Sequence, residues 1–97
     1  MHTYIWLVKF TDQGIRNVKE TTKRAKSFRE MAELAGVKVR EILWTMGRYD
    51  LVLVVDAPDD ETMCRVTLRL GMLGNAKTET LKAFSAQEMD KILKGLP

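Results

Sequence analysis

Cysteine and histidine are almost missing from this sequence: Cys64 and His2 each stand alone. One cysteine cannot close an intrachain disulfide, which suits a reducing compartment. A single thiol and a single imidazole make no zinc-type ligand set, so no metal is expected. Nucleophilic triads need a histidine beside a serine or cysteine, and His2 lies next to a terminus expected to fray, which argues against them. Long apolar runs are lacking too. Tyr4–Val8 is far too short for a signal core or a membrane span, and no basic patch precedes it. The default expectation is a cytoplasmic protein without a membrane anchor. A phosphate loop is lacking as well, because Gly71 and Gly74 close a helix where such a loop would open one. Charge is nearly balanced, at +3, so an anionic partner is hinted at and no more.

With 97 residues there is room for one core, and a single domain is expected over 1–97. Thr3–Phe10 is rich in β-branched and aromatic residues and reads as a strand, ending in the polar turn Thr11–Gly14. Ile15 and Val18 suggest one short helical turn. Thr21 or Thr22 then caps a first long helix, whose stripe is Ala25, Phe28, Ala32 and Ala35, and Gly36 stops it. Val37–Met46 and Tyr49–Ala57 read as strands around a turn at Gly47-Arg48. Pro58 ends the third strand, and Asp59, Asp60 and Glu61 open a helix that runs to about Leu73, with carboxylates at its positive end. Ala76–Phe84 is a fourth strand. Ser85 and Glu88 form a capping box before a tail helix carrying Met89, Ile92 and Leu93. The order is β-α-β-β-α-β plus a helix: an α+β, ferredoxin-like split βαβ arrangement with a four-stranded antiparallel sheet.

A sheet with helices on one side should alternate apolar and polar residues. These central strands do not. Tyr4, Trp6, Val8 and Phe10 oppose Ile5 and Leu7, and Leu51, Leu53 and Val55 oppose Val52 and Val54. Both faces are apolar, so the uncovered one needs a partner. A second copy, sheet against sheet, is the expected remedy, giving a homodimer or a higher even oligomer. The competing expectation is that the tail helix folds over its own sheet.

Trp44-Thr45-Met46-Gly47-Arg48-Tyr49-Asp50, the run Leu51–Val55 and Ala57-Pro58-Asp59-Asp60-Glu61 resemble the GYD-domain family, whose Gly-x-Tyr-Asp motif falls on Gly47, Tyr49 and Asp50. Phe10-Thr11-Asp12-Gln13-Gly14-Ile15 and the segment Gly74–Leu81 extend that resemblance. It implies a ferredoxin-like fold assembling as a dimeric α+β barrel and brings no settled biochemical function. A more distant similarity is to the ligand-sensing domain of feast/famine-type regulators, through Gly47/Asp50 and Thr78/Thr80. That one implies a small metabolite held at subunit contacts.

Several residues are candidates for chemistry. Gly47 permits positive φ in the turn, and Asp50 is expected to accept backbone N–H groups there as a clip between strands. Arg48 is built to grip a carboxylate or phosphate with two bonds. Trp6, Trp44, Tyr4 and Tyr49 are expected to wall a cavity between paired sheets, with Thr78 and Thr80 supplying hydroxyls. A one-residue slip of register would present Glu79 instead. The candidate ligand-binding set is therefore Trp6, Trp44, Arg48, Tyr49, Asp50, Thr78 and Thr80, for a small anionic or aromatic metabolite. Cys64, mid-helix among apolar residues, is expected to be inert. The basic stretch Lys19, Lys23, Arg24, Lys26, Arg29 is interrupted by Glu20, and the third strand offers no stacking aromatic, so nucleic acid is not an expected partner. A small-ligand-binding or metabolite-sensing oligomer is the leading expectation, with no cofactor. The alternatives are a cofactor-independent oxygenase or isomerase using Asp50, Arg48 and Glu79, and a structural subunit that partners another protein.

Overall fold

The computed structural model describes residues 1–97. Strands β1 (His2–Phe10), β2 (Lys38–Trp44), β3 (Leu51–Ala57) and β4 (Ala76–Ala83) and helices α1 (Asp12–Arg16), α2 (Thr21–Leu34), α3 (Asp60–Met72) and α4 (Ala86–Lys94) follow in the order β1-α1-α2-β2-β3-α3-β4-α4. A 3-10 turn over Val18–Glu20 links α1 to α2. The strands form one antiparallel sheet in the order β2-β3-β1-β4. This is the ferredoxin-like α+β arrangement expected from the sequence.

The two most apolar strands, β1 and β3, take the two central positions, where both edges are hydrogen-bonded. Tyr4, Trp6 and Val8 point toward the helices, as do Leu51, Leu53, Val55 and Ala57 from β3. Phe28 and Ala32 of α2 and Met63 and Val66 of α3 close the core over them. Trp6 is fully buried, its ring 5.2 Å from that of Phe28. Its indole N–H has no partner, a penalty of about 1–3 kcal/mol set against the burial of a large ring.

Helix ends follow local chemistry with one exception. Asp59 caps α3 by accepting from Thr62 N at 2.7 Å, and those hydrogen bonds hold its carboxyl below the usual range. Ser85 and Glu88 form the expected capping box of α4, at 3.1 and 2.9 Å. The cap expected at Thr21 or Thr22 is not made. Thr21 is the first residue of α2, Glu20 precedes it without a side-chain bond, and the Thr21 hydroxyl accepts from Trp44 Nε1 at 3.0 Å. Cys64 lies mid-helix in α3, on its exposed side and not among buried apolar residues.

The tail helix does not cover the open sheet face of its own chain. No residue of α4 is buried, and Met89, Ile92, Leu93 and Leu96 are all exposed. The molecule is 51 Å long and only 18 Å thick, with a radius of gyration of 14.6 Å. A compact chain of this length would have about 12.5 Å. No helix is long and apolar enough to cross a membrane.

One titration is built into the core edge. Tyr4 donates its hydroxyl to Asp60, and burial followed by that bond pushes the Tyr4 pKa up to about 12. A raised phenol contributes stability that is complete below the unfolded value near 10 and is lost as pH rises toward 12. The melting temperature should therefore fall over that interval, and a Tyr4→Phe variant should fall less. Equal slopes in a pH series of thermal melts would remove Tyr4 from the account.

Candidate functional site

Between β2 and β3 the chain turns through Thr45–Asp50, with Gly47 at φ +118°, a backbone conformation that a side chain resists. Thr45 N donates to Asp50 O at 2.8 Å, and Thr45 Oγ1 donates to Tyr49 O at 2.7 Å, closing the turn. Asp50 N donates to Val8 O, and Asp50 Oδ2 accepts from Phe10 N, both at 2.8 Å. The carboxylate thus extends the β1–β3 ladder one step beyond the end of β3. It clips two strands, as expected, but its acceptor bond reaches the neighbouring strand and not its own turn. Asp50→Ala would leave the Phe10 N–H without its partner and should cost about 1–3 kcal/mol. A chemical denaturation midpoint unchanged from the parent would contradict the clip.

Tyr49 leaves the turn in another direction. Its hydroxyl donates to Glu79 Oε2 of β4 at 2.8 Å, and the Arg48 guanidinium lies 5.7 Å from its ring centroid. The bond to Glu79, ahead of desolvation, raises the Tyr49 pKa, because a phenolate beside a carboxylate is disfavoured. Arg48, Tyr49 and Glu79 form a polar rim at one end of the open face.

The register lays that face out in rows. Across β2, β3, β1 and β4, one row reads Leu43, Val52, Leu7, Glu79, and the next reads Glu41, Val54, Ile5, Leu81. Four aliphatic side chains sit at the centre, Leu43 and Leu81 continue the patch at opposite corners, and no helix covers any of them. Beyond the second row, Asp56 pairs with Arg40 at 3.0 Å and accepts from Thr3 Oγ1 at 2.7 Å.

This register corrects the expected cavity. Thr78 and Thr80 pair with Val8 and Trp6 and share their side of β4, facing away from the open surface. Trp6 is core, and Trp44 is tied to Thr21 on the helix side. Of the seven candidates only Arg48, Tyr49 and Asp50 come together, and Glu79 joins them in place of the threonines. Trp44 is where it is because a bulge at Val39/Glu41 shifts the alternation of β2.

A second constellation carries no role in the sequence reading. Thr11 N donates to Asn75 O at 3.1 Å, and Thr11 Oγ1 donates to Gly74 O at 2.6 Å. Gln13 Nε2 donates to Leu73 O at 3.2 Å and to Asn75 Oδ1 at 2.9 Å. The two segments knit the start of α1 to the α3–β4 turn. The available signal was a polar cluster around Gly14 facing another beside Gly74.

At this rim Asp50 gives Oδ2 to the Phe10 N–H and Glu79 gives Oε2 to the Tyr49 hydroxyl, while Arg48 makes no ion pair. A GYD domain pattern matches residues 4–93. The glutamine synthetase and cystathionine beta-lyase binding protein of Thermus thermophilus is 35% identical over 95 residues, spanning 97% of this chain and 100% of that one. The crystal structure of TTHA0845, also from Thermus thermophilus, aligns with a TM-score of 0.56 at 31% identity, over 89% of this chain and 96% of that one. On its motif, its length and its fold, the chain belongs to the GYD-domain family.

Proposed function

We propose that this protein is a homo-oligomeric binding subunit, in which the open sheet face of one copy covers that of another and the assembly docks on a separate protein. The observation that carries the reading is bare surface. The chain exposes 6866 Å², whereas a monomer of 11.1 kDa is expected to expose about 5,700 Å². The excess of about 1,200 Å² exceeds the roughly 800 Å² that each partner contributes to an interface of ordinary size. Ile5, Leu7, Val52 and Val54 lie side by side in two adjacent rows and are only half-buried, which leaves area for a paired sheet to cover.

Docking falls to α4. Met89, Ile92 and Leu93 recur at the spacing of one helix face and are exposed, with Leu96 exposed just past the helix end, the pattern of a helix that lies in a partner's groove. The Thermus relative is named for binding two enzymes, which supports a protein as the partner. Arg48 makes no ion pair within its chain, so an anionic metabolite held at the rim is the second reading.

The test is size-exclusion chromatography with light scattering on the purified protein, alone and mixed with glutamine synthetase or cystathionine β-lyase from the same organism. The expected result is an even oligomer that co-elutes with one enzyme in fixed ratio. Replacing Ile92 and Leu93 by Glu should abolish co-elution and leave the oligomer intact. A monomer that binds neither enzyme would overturn the proposal.

A further inference from the structure

On the other side of the sheet, residues of α2 and α3 border a groove of about 420 Å³ that reaches down to the core. Its floor and walls include Val8, Phe10, Phe28, Met31, Leu53 and Leu70. The volume falls in the range of small-molecule sites, and an apolar lining with few polar groups is how such sites are built. Ala25 and Ser27 of α2 face it with small side chains, which keeps the gap open.

The polar groups at this groove are of mainly one sign. Lys23, Arg24 and Arg69 border it against the single carboxylate of Glu20, which Lys23 meets at 3.5 Å. Arg24 is fixed in place: it donates to Asn17 O at 2.8 Å and Gly14 O at 3.2 Å, and its guanidinium lies 5.9 Å from the Phe10 ring centroid. Arg69 makes no ion pair, and it also borders a second hollow between the same helices, with Glu30, Met31 and Leu34. A guanidinium with open donors at the mouth of an apolar slot matches a planar anion at the end of an apolar body.

We propose that the α2–α3 groove binds an amphipathic monocarboxylate, with its hydrocarbon body over Phe10, Phe28 and Leu53 and its carboxylate on Arg69 and Arg24. The site lies on the face of the sheet opposite the proposed pairing surface and does not rest on that reading.

Isothermal titration of the intact protein with decanoate, and with 1-decanol as the uncharged counterpart, tests it. Decanoate should bind saturably, one per chain, and the alcohol about tenfold or more weaker, because the charge-assisted bonds are absent. Arg69→Gln alters an exposed side chain and should weaken decanoate several-fold, toward the alcohol, while leaving the alcohol's own affinity unchanged. Ala25→Phe fills the groove from α2 and should abolish both. Three results would overturn the proposal: no saturable decanoate binding below about 1 mM, equal affinity for acid and alcohol, or undiminished affinity in folded Arg69→Gln protein.

Discussion

Gly14→Ala is expected to lower the melting temperature by roughly 10–20 °C, through a loss of about 2–3 kcal/mol. Gly14 is buried at the start of α1, and a Cβ built there falls 2.0 Å from Asn75 O and 2.9 Å from Asn75 C. Those are backbone atoms. Asn75 O is also the acceptor for Thr11 N, so the turn cannot retreat without breaking the bonds that hold it. Relief would have to come from shifting α1, which strains Thr11 and Gln13 in turn. A matched control is Gly71→Ala near the end of α3, where an added Cβ meets nothing. That change should stabilise by about 0.5–1 kcal/mol, since alanine is the better helix former. Calorimetry on the two variants settles the point: similar melting temperatures would mean that the close approach at Asn75 is not rigid.

Val54→Asp should weaken self-association by about a thousandfold or more while the chain still folds. Val54 is only half-buried and lies between Glu41 and Ile5 on the open face, so in a free subunit the carboxylate would reach water. In a paired sheet it would be an unpaired charge in an apolar interface, repeated on both copies. Each such charge costs roughly 3–5 kcal/mol, and 1.4 kcal/mol is about tenfold. Thr80→Asp places the same charge on the opposite side of β4 and should leave the assembly unchanged. Sedimentation at several concentrations reads both. If Val54→Asp sediments like its parent, the open face is not the contact.

These two sites show which parts of the sequence were legible. The unbroken apolar runs of β1 and β3 already implied two apolar faces, and Ser85-x-x-Glu88 announced a helix start, because both signals act over a few neighbouring residues. Which face the helices cover is a tertiary fact. A period of two says that Ile5 and Leu7 travel together and does not say toward what. Thr78, Thr80 and Trp44 were misplaced for this reason, the last through a bulge that leaves no mark in composition. Asp50 was readable as a clip because a short carboxylate after Gly47 has few other uses, while its partner Phe10 lies 40 residues away. The Thr11–Asn75 knot was invisible as a contact for the same reason of distance, although its residues stood out as a resemblance.

The central position of β1 has a consequence for how the chain is made. It leaves the ribosome ahead of both of its sheet neighbours, β3 and β4. Forty residues separate the end of β1 at Phe10 from Leu51, roughly 2–8 s at ribosomal speeds of about 5–20 residues/s. During that interval its backbone edges and the apolar side that carries Ile5 and Leu7 have nothing of their own to meet, since α2 can reach only the Trp6 side. The nascent segment His2–Phe10 is thus the natural client for a holding chaperone, and the stretch most exposed to misassociation on polysomes, where nascent copies lie close together.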